Sequence, residues 1–465
     1  MDVLMLLACL ILGVSYIYHS LLKWNEMKYR QKGLPPGTMG WPVFGETLKF
    51  FEQGPGFMIR QQSRYGNVFK SHILGSPTII SMDPELNRYI LLNEAKGLIP
   101  GYPQSTLDIL GENNIGAVSG STHKQIRGSL MLLIGSSALK DQLLPKMDRD
   151  MRIFLQNWDG KTIDIQEKCK DMAFYIALKQ IVEEESDSIY QSFKAEFDKL
   201  VVGTLSLPIN LPGTNYHRGF QGRKNVIKII REMIENRRAS LKTHDDMLSS
   251  ILSNEDPRYA LNDGERDDQI IMILNSGYET ISTTTMMAIK YLHDHPQALQ
   301  ELRNEHFMIR QEKSEGQPID WNDYRTMRFT RAVIFETMRL ATVVNGLLRK
   351  ATKDIELNGI VIPKGWKIYV YTREINYDSN LYPEPLKFNP WRWLEERGLE
   401  THNYCFLFGG GSRLCPGKEL GIVTISMFLH YFVTSYRWEE IGGEKIRKFP
   451  RVEAPNGLHA RVFKY

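Results

Sequence analysis

The first apolar stretch of the chain is long enough to cross a membrane. Residues 3–22 are predominantly apolar, and about 20 helical residues span the hydrocarbon core of a bilayer. No basic residue precedes this stretch. The basic residues that follow it are Lys23, Lys28, Arg30 and Lys32. Because cytosolic flanks are enriched in lysine and arginine, the pattern predicts one uncleaved anchor with the rest of the chain in the cytosol. A cleaved signal peptide, the competing interpretation, needs a basic start and a small-residue cleavage site.

The segment after the anchor is basic and rich in proline. Leu34-Pro35-Pro36-Gly37 cannot continue a helix and has the composition of a stiff, extended spacer. No serine- or glycine-rich linker, repeat or low-complexity tract divides the rest of the chain. The expected organisation is therefore an anchor at 1–22, a hinge at 23–41 and one large folded domain at 42–465.

Beyond the hinge, the pattern of apolar and polar positions predicts short strands first and mainly helices afterwards. Asp267-Asp268 is expected to open a long helix, since acidic residues suit a helix N-terminus and apolar residues follow at helical spacing. Asn358-Gly359 supplies the positive backbone angles of a tight turn inside a hairpin at 354–363. The other predicted elements are strands at 68–73, 78–81 and 367–372 and a helix at 331–340. The expected fold class is mainly α with small β-sheets.

The composition is that of a globular protein. Of 465 residues, 42% are hydrophobic and 24% are charged, and the net charge is only +4. No long basic run with interleaved aromatic residues occurs, so a nucleic-acid partner is not expected. The four cysteines have neither paired nor zinc-finger spacing, which argues against a disulfide framework and a zinc site. They are Cys9, Cys169, Cys405 and Cys415.

Cys415 lies in a glycine-lined loop. Residues 408–417 read Phe-Gly-Gly-Gly-Ser-Arg-Leu-Cys-Pro-Gly, with Arg413 two residues before the cysteine. Glycines let backbone amides approach a sulfur, and a thiolate ligand of haem iron favours cleavage of the O–O bond. The Arg413 guanidinium suits a haem propionate, because it pairs with carboxylates through two hydrogen bonds. The loop predicts a haem-thiolate site; the alternative is a lone cysteine acting as a small buried apolar residue.

A second polar motif interrupts the long predicted helix. Ser276-Gly277-Tyr278-Glu279-Thr280 places a glycine, an acid and an alcohol in its middle, where glycine costs about 1 kcal/mol relative to alanine. A helix loosened at Gly277 can free a backbone carbonyl and open a notch for dioxygen and water. Thr280 is then expected to hydrogen-bond the oxygen and Glu279 to relay the protons that O–O cleavage needs. The alternative is an ordinary helix with a solvent-facing glutamate and a self-capping threonine.

These two motifs resemble those of the cytochrome P450 superfamily. Its cysteine signature, Phe-x-x-Gly-x-Arg-x-Cys-x-Gly, is matched from Phe408 to Gly417 without departure, and its oxygen-activation motif is matched with Ser276 where Ala or Gly is commoner. The resemblance implies the haem-thiolate fold, haem b (iron protoporphyrin IX) as cofactor, dioxygen as co-substrate and a separate NADPH-cytochrome reductase as electron donor. It also implies a single-pass protein of the endoplasmic reticulum membrane with a cytosolic catalytic domain.

The resemblance assigns roles to residues outside the two motifs as well. A structural triad that locks the loop before the cysteine is matched by Glu336, Arg339 and Arg392. Contacts to the haem are matched by Phe408, Gly409, Arg413, His123, Arg127 and Arg349. For His123 and Arg127, two exposed basic residues on a helix are the alternative. Lys124, Arg413 and Lys418 are expected to add to a positive face that attracts the electron donor.

Longer stretches are similar to the plant brassinosteroid 6-oxidase family, from the proline hinge nearly to the C-terminus. Among them are Tyr102-Pro103-Gln104-Ser105, Asp294-His295-Pro296 and Pro416-Gly417-Lys418-Glu419-Leu420-Gly421. The resemblance implies a 6-deoxo brassinosteroid such as 6-deoxocastasterone as substrate, hydroxylated at C6 and then oxidised to the 6-ketone; some members continue to the lactone. By motif position, the expected substrate contacts are Leu107, Ile109, Leu110, Leu274, Val344, Gly346 and Leu347.

Other functions stay open at this level. One is a haem-thiolate monooxygenase that acts on another steroid or a terpenoid. A haem-thiolate isomerase or dehydratase would use the same cysteine without an external electron donor, although Glu279 and Thr280 favour oxygen activation. The last is a non-catalytic membrane protein that binds a steroid. Turnover that depends on both NADPH and a reductase distinguishes the monooxygenases from the others.

Overall fold

A computed structural model describes residues 2–183, 187–254, 256–314, 316–395, 398–442 and 445–465. Within these ranges helices dominate and the strands form three small sheets, which confirms the predicted fold class. The chain divides into two compact units. The first comprises Met1–Gly101, Val344–Ile375 and Gly410–Ser412; the second comprises Tyr102–Val343, Asn376–Gly409 and Arg413–Tyr465.

The strands and helices are numbered in chain order. The strands are β1 (Val68–Ile73), β2 (Ser76–Ser81), β3 (Leu98–Pro100), β4 (Thr162–Asp164), β5 (Gly346–Ala351), β6 (Ile355–Leu357), β7 (Ile360–Ile362), β8 (Lys367–Tyr371), β9 (Tyr436–Glu440) and β10 (His459–Lys464). The helices are α1 (Asp2–Lys28), α2 (Thr47–Gln53), α3 (Pro55–Tyr65), α4 (Pro84–Leu92), α5 (Gln104–Leu110), α6 (Gly120–Ile134), α7 (Ser136–Ala138), α8 (Leu144–Phe154), α9 (Ile165–Ile181), α10 (Asp187–Gly203), α11 (Asn215–Ala239), α12 (Met247–Ser253), α13 (Asp263–Ser276), α14 (Ser282–Asp294), α15 (Pro296–Gln311), α16 (Trp321–Thr326), α17 (Arg328–Ala341), α18 (Arg392–Glu395) and α19 (Lys418–Ser435). Two π-helical segments, Leu139–Leu143 and Gly277–Ile281, join α7 to α8 and α13 to α14.

The first unit contains a five-stranded sheet in the order β1-β2-β8-β5-β3. Only β2 and β8 pair in parallel; the other neighbours are antiparallel. The strands predicted at 68–73, 78–81 and 367–372 are confirmed, as is the hairpin, which is formed by β6 and β7. Its turn residues Asn358 and Gly359 have φ of 49° and 75°, the positive angles on which that prediction depended.

The N-terminal helix is long and apolar enough to cross a membrane. Its 24-residue candidate span, Met5–Lys28, has a mean hydropathy of 1.9 in its most apolar window, none of which is buried. The helix continues six residues beyond the predicted end of the anchor at residue 22. Its last turns are attached to the rest of the first unit. The buried side-chain amide of Asn25 donates to the backbone carbonyls of Met39 (3.2 Å) and Gly40 (2.9 Å), and the Glu26 carboxylate pairs with the Lys70 ammonium at 3.1 Å.

The proline-rich segment is hydrogen-bonded to strands of the same unit. The Lys70 amide donates to the Pro36 carbonyl (2.9 Å), and the Val361 amide donates to the Gly33 carbonyl (2.7 Å). Gly37, with φ of 144°, lies so close to Lys70 that an added Cβ would be 2.1 Å from its carbonyl oxygen. This glycine is therefore required by the close approach of the two backbones.

The second unit is mainly helical, with a three-stranded sheet in the order β4-β10-β9. Its core includes α14, α17 and α19; on α19 every residue from Ile422 to Val433 is buried. A helix that is apolar on all sides has no polar face to turn to water, so it lies either in a protein core, as α19 does, or in a membrane. The helix predicted at 331–340 is confirmed as α17.

The start of the long helix was predicted wrongly. It begins at Asp263 rather than at Asp267-Asp268, because Asn262 and Glu265 form a capping box that satisfies the first free amides. Asp267 and Asp268 lie within α13 and are buried, where they pair with Arg231 (2.9 Å) and Arg223 of α11. Desolvation raises the pKa of Asp267, while Arg231 acts in the opposite direction.

Helices α10 and α11 approach each other through glycines. A Cβ added to Gly203 of α10 would lie 2.7 Å from the Gly219 Cα of α11, so neither position has room for a methyl group. The Cδ1 atom of Ile109 on α5 fills the space beside this contact, 3.3 Å from that Cβ position. Helix α5 is thereby packed directly on the crossing of α10 and α11.

A buried ionic network joins α17 to the segment that precedes the Cys415 loop. Glu336 accepts from Arg339 (2.8 and 2.9 Å), from Arg392 (3.2 Å) and from the Trp393 indole (2.9 Å), and the three charged side chains are at most 3% exposed. Arg339 also donates to the carbonyl of Asn376 (2.6 Å), which fixes the backbone of that segment. The predicted triad is thus assembled, and inside the protein.

Two truncations test the attachment of the N-terminal helix. Removal of residues 1–22 keeps Asn25 and Glu26, whereas removal of residues 1–32 deletes both. The shorter truncation should retain the urea midpoint of the full chain, and the longer one should lose about 1–3 kcal/mol, the net value of two buried hydrogen bonds. Asn25→Ala in the shorter chain should reproduce most of that loss. Equal midpoints for the two truncations would show that the last turns of α1 do not stabilise the first unit.

Glu336→Gln tests the buried network. Loss of the carboxylate charge leaves Arg339 and Arg392 buried without a counter-charge, so the free energy of unfolding should fall by about 3–5 kcal/mol. The control is Glu384→Gln, since Glu384 pairs with Lys387 at 3.4 Å on the surface and exposed pairs contribute about 0–1 kcal/mol. Unfolding midpoints in denaturant measure both, with Glu336→Asp as a milder variant. Similar small losses at positions 336 and 384 would contradict the scaffold role.

Candidate functional site

The loop that carries Cys415 is closed by its own backbone. The Cys415 amide donates to the Phe408 carbonyl at 3.0 Å, and the Gly409 amide donates to the Phe406 carbonyl at 2.9 Å. Gly409 has φ of 77°, an angle that glycine adopts without strain. The Phe408 ring packs on Phe335 of α17, with ring centroids 5.6 Å apart. The hydrogen bond between Cys415 and Phe408 thus joins the two ends of the loop, and the ring contact holds the Phe408 end against α17.

The Cys415 side chain is accessible at the surface of the loop, although protein atoms lie close around its sulfur. Burial raises the pKa of the thiol; the Gly417 amide and the positive charges of Arg127 and Lys418 act in the opposite direction. The amide and the two cations favour the thiolate, which is the form of cysteine that binds a metal. Cys405, the nearest other cysteine, is half-buried, and burial raises its pKa to about 11.

Helix α6 and the residues before it contact the same loop. Arg127 of α6 donates to the Leu414 carbonyl at 2.8 Å. Arg413 donates to the carbonyls of Ile115 (2.7 Å) and Val118 (2.5 Å). His123 is buried one turn before Arg127 on the same helix. The structure thus brings Arg127 and the backbone of Ile115 and Val118 to the loop that contains Arg413. The interpretation of His123 and Arg127 as two exposed basic residues is wrong for His123, which is buried.

The helix widens into a π-helical turn at the motif of residues 276–280, which is expected to activate oxygen. Gly277–Ile281 forms one π-helical turn, and the Gly277 amide is shared between the carbonyls of Ile273 and Leu274. The Thr280 hydroxyl donates to the Ser276 carbonyl at 2.7 Å, and the side chains of both residues are exposed although Tyr278 between them is buried. Gly277 has an ordinary helical φ of −68°, so the backbone angle does not require glycine. Its effect is to keep the space beside the turn free of a side chain.

The π-helical turn lies close to the helix that follows the cysteine. A Cβ added to Gly421 of α19 would lie 3.9 Å from the Cγ1 atom of Ile281, the last residue of the turn. Gly421 is six residues beyond Cys415 in the sequence. The cysteine loop and the oxygen-activation motif are therefore held by two helices in direct contact.

Sequence reasoning missed the partner of Glu279. The Glu279 carboxylate is 3.4 Å from the guanidinium of Arg451, and the two side chains are 26% and 28% exposed. Glu279 is therefore not simply solvent-facing. No motif joins these residues, because Arg451 is in the C-terminal segment between β9 and β10, far along the chain from the helix.

Lys418 differs from the expectation that it adds to an open positive face. Its ammonium is 2.7 Å from the Glu400 carboxylate and lies over the rings of Phe335 and Phe408, at 5.6 and 5.4 Å from their centroids. Glu400 is shared with Arg331 of α17 at 2.6 Å. The charge of Lys418 is thus offset locally, and its contacts hold the start of α19 to the cysteine loop. Lys124, in contrast, is exposed.

The predicted substrate and haem contacts are divided between the two units. Arg349, Val344, Gly346 and Leu347 belong to the first unit, where Arg349 is buried on β5. A Cβ added to Gly346 would lie 2.7 Å from the Val370 carbonyl oxygen, so packing inside this unit accounts for the glycine.

In the second unit, the predicted substrate contacts lie on α5 and α13. Leu274 of α13 is fully buried, as is Ile109 of α5, whose tip packs against the glycines of α10 and α11. Leu110 is buried and Leu107 is half-buried on the same helix. Their contact with a substrate stays a prediction.

The chemistry of these side chains fits a haem group. Cys415 offers a sulfur whose negative charge is favoured by the Gly417 amide, Arg127 and Lys418, which suits an iron thiolate. The arginine guanidinium has five N–H donors, so Arg127 can bind a propionate carboxylate in addition to the Leu414 carbonyl. An exposed threonine side chain and a partly exposed acid lie on a π-helical turn beside the helix that follows the cysteine loop. Among the residues described, this set is suited to one metal-bound thiolate and one proton path.

Comparison with known proteins agrees with this geometry. The family model for Cytochrome P450 matches residues 35–457. "Cytochrome P450 85A1" of Solanum lycopersicum is 64% identical over 97% of this chain and 97% of its own length. "3-epi-6-deoxocathasterone 23-monooxygenase CYP90D1" of Arabidopsis thaliana is 36% identical over 91% of this chain and 88% of its own length. The solved structure "Retinoic acid bound cyanobacterial CYP120A1" has a TM-score of 0.84 and 27% identity, and covers 94% of this chain and all of its own. The chain belongs to the cytochrome P450 family of haem-thiolate monooxygenases.

Proposed function

We propose that this protein oxidises C6 of a 6-deoxo brassinosteroid, with 6-deoxocastasterone as substrate and the 6-ketone castasterone as product. The observation that carries the proposal is similarity over the full length: 64% identity to the tomato protein, with stretches that resemble the plant brassinosteroid 6-oxidase family. The relative at 36% identity acts, as its name states, on a 6-deoxo steroid. A flat, apolar substrate is in keeping with the apolar residues of α5 and α13.

Bound haem supplies the activation of dioxygen. Cys415 would hold its iron, with the Gly417 amide, Arg127 and Lys418 tuning the charge on the sulfur. Haem propionates would be bound by arginine and histidine side chains, and Phe408 and Gly409 would shape the loop beside the ring. The propionate partners in this proposal are His123, Arg127, Arg349 and Arg413.

Glu279 and Thr280 would deliver the protons. The Thr280 hydroxyl can turn away from the Ser276 carbonyl, because a hydroxyl rotates to suit its partners. In that position it can donate to oxygen in the site while accepting a hydrogen bond from water. Glu279, half-exposed beside it, would pass protons from solvent to this hydroxyl.

The overall reaction consists of two hydroxylations at one carbon. In the first, CH₂ + O₂ + NADPH + H⁺ gives CHOH + NADP⁺ + H₂O. The second uses the same co-reactants to give a geminal diol, which loses water to form the ketone. Each step takes two electrons, and these come from NADPH through a separate reductase. A third oxidation, insertion of one oxygen atom beside the ketone, would give the lactone.

We also propose a location. The apolar helix α1, the basic residues after it and membership of this family support a single-pass anchor in the endoplasmic reticulum membrane, with the catalytic domain in the cytosol. The domain organisation proposed from the sequence, with an anchor at 1–22, a hinge at 23–41 and a catalytic domain at 42–465, goes with this location.

Conversion of the proposed substrate is the direct test. The purified full-length protein, with reductase and NADPH, should form castasterone from 6-deoxocastasterone, with the 6-hydroxy steroid as an intermediate seen by mass spectrometry. Castasterone supplied alone shows whether brassinolide forms. A haem-loaded protein that leaves C6 of 6-deoxocastasterone unchanged would overturn the proposed substrate, and a panel of other steroids and terpenoids would then find the alternative.

Cys415→Ser should incorporate little haem, because a hydroxyl is a poor substitute for an iron-binding thiolate. The measurement is the red-shifted carbon monoxide band of the ferrous thiolate complex, which should disappear. Cys405→Ser is the matched control, since Cys405 lies outside the glycine loop, and it should keep the band. Retention of the band in Cys415→Ser would eliminate this residue as the iron ligand.

Thr280→Ala should release peroxide at the expense of product. Loss of a positioned proton donor lowers the rate of proton transfer by about 10²–10⁴-fold, so NADPH should be consumed with less ketone formed. Thr284→Ala is the control, because its buried hydroxyl makes the same kind of helical hydrogen bond, to the Thr280 carbonyl at 2.7 Å. The ratio of ketone to NADPH is the readout. An unchanged ratio in Thr280→Ala would remove Thr280 from the proton path.

A further inference from the structure

Arg451 connects the acid of the π-helical turn to the end of α10. One nitrogen of its guanidinium, Nη1, is 3.4 Å from the Glu279 carboxylate. The other, Nη2, donates to the Thr204 hydroxyl and to the Val201 carbonyl, the latter at 3.3 Å. One side chain thus serves two separate elements of the second unit.

Thr204 is held by three groups. Its hydroxyl donates to the Val201 carbonyl at 2.8 Å and accepts from Arg451. Its carbonyl accepts from the Thr106 hydroxyl of α5 at 3.0 Å. Thr204 is also buried. The position of Arg451 therefore depends on the arrangement of both α5 and α10.

Helix α5 is fixed to the same region by a second contact. Asp108 accepts from the Tyr216 hydroxyl of α11 at 2.6 Å. Leu107 and Leu110, two of the predicted substrate contacts, are on either side of Asp108 and Ile109. A substrate that touches α5 therefore acts on the helix that holds Thr204.

The π-helical turn has another connection to α10. The hydroxyl of Tyr278, the residue before Glu279, donates to the Asp198 carboxylate of α10 at 2.9 Å. The Tyr278 ring also packs on Phe197 of α10, with centroids 5.6 Å apart. Since Tyr278 is buried and hydrogen-bonded, the backbone of the turn is set by α10 on one side. The Glu279 side chain, which pairs with Arg451, is only partly buried.

From these contacts we infer that Arg451 is a positioning residue for Glu279 and transmits the arrangement of α5 and α10 to the proton path. When the Thr204 hydroxyl accepts from Nη2 of Arg451, Nη1 lies beside the Glu279 carboxylate and fixes its position. When α5 or α10 shifts, Arg451 moves with Thr204 and the ion pair with Glu279 is lost. Arginine suits this role because its planar fork carries separate donors for the two elements, whereas lysine offers one nitrogen. The inference deepens the proposed function and rests on it for the proton-relay role of Glu279.

Hydrogen exchange tests the structural half without any turnover. The Thr204 amide donates to the Val201 carbonyl and the Ser206 amide to the Gly203 carbonyl, both at 3.2 Å, so their exchange reports the end of α10. Arg451→Gln in the haem-loaded protein should raise their exchange about tenfold, as expected when a charge-assisted hydrogen bond is lost. Arg447→Gln is the matched control, since Arg447 pairs at 3.2 Å with Glu453 in the same segment. Unchanged exchange in Arg451→Gln would overturn the inference.

Coupling tests the functional half. Arg451→Gln should lower the ratio of ketone to NADPH about threefold or more, with KM for 6-deoxocastasterone changed by less than about twofold. Arg451→Lys should restore part of the ratio, because the positive charge returns beside Glu279. Arg447→Gln should match the unmodified protein. A merely structural role would instead change KM and haem content together and would not be rescued by lysine.

A double-mutant cycle shows whether Arg451 acts through Glu279. In a Glu279→Gln background, Arg451→Gln should have no further effect on the ratio of ketone or peroxide to NADPH. Independent effects that multiply would overturn the inference. A protein that makes no ketone from 6-deoxocastasterone would instead refute the proposed substrate. In that case the exchange measurement still decides whether Arg451 holds α10.

Discussion

The buried charge of Glu336 is the constraint on which the cysteine side of the site depends. A carboxylate inside a protein is stable only when its partners satisfy it, and here two arginines and an indole do so from different segments. The backbone after α17 can therefore take only the arrangement that completes the set. From Trp393 the constraint passes through Phe335 to Phe408 by ring contacts of 5.1 and 5.6 Å. The position of the cysteine loop thus depends on the Glu336 carboxylate through this series of ring contacts.

Glu279 is also paired with an arginine, but its ion pair is partly exposed and weak, whereas that of Glu336 is buried. Its pair with Arg451 is about a quarter exposed, where ion pairs contribute only about 0–1 kcal/mol, against about 3–5 kcal/mol for breaking a buried pair. The difference decides which group is scaffold and which can move. An acid that passes protons, as we propose for Glu279, must change partners, so a weak and partly exposed ion pair suits it. The groups that fix the cysteine loop must keep the same partners, so full burial suits Glu336.

The features that could be predicted from the sequence are those encoded by residues close together in the chain. The hairpin turn at Asn358-Gly359 and the cysteine loop are encoded in neighbouring residues, so their chemistry is readable from a short window. The signal for the start of α13 is equally local, but two acidic signals compete: the capping box of Asn262 and Glu265 begins the helix, and the acidic pair at 267–268 lies inside it. The arginines of α11 that neutralise those acids, and Arg451, come from distant parts of the chain. No spacing rule connects such residues, because only the packing of helices brings them together.

The two sides of the site therefore differ in mechanical character for a chemical reason. A thiolate ligand keeps its properties only if the surrounding amide and cations stay fixed, and closed backbone hydrogen bonds, ring packing and the Lys418–Glu400 pair keep them so. The proposed proton delivery requires a hydroxyl and an acid, and the π-helical turn carries both beside Gly277. Ile281 of the π-helical turn lies against Gly421 near the start of α19, so the helix that follows the cysteine loop supports the turn while the Thr280 side chain stays exposed.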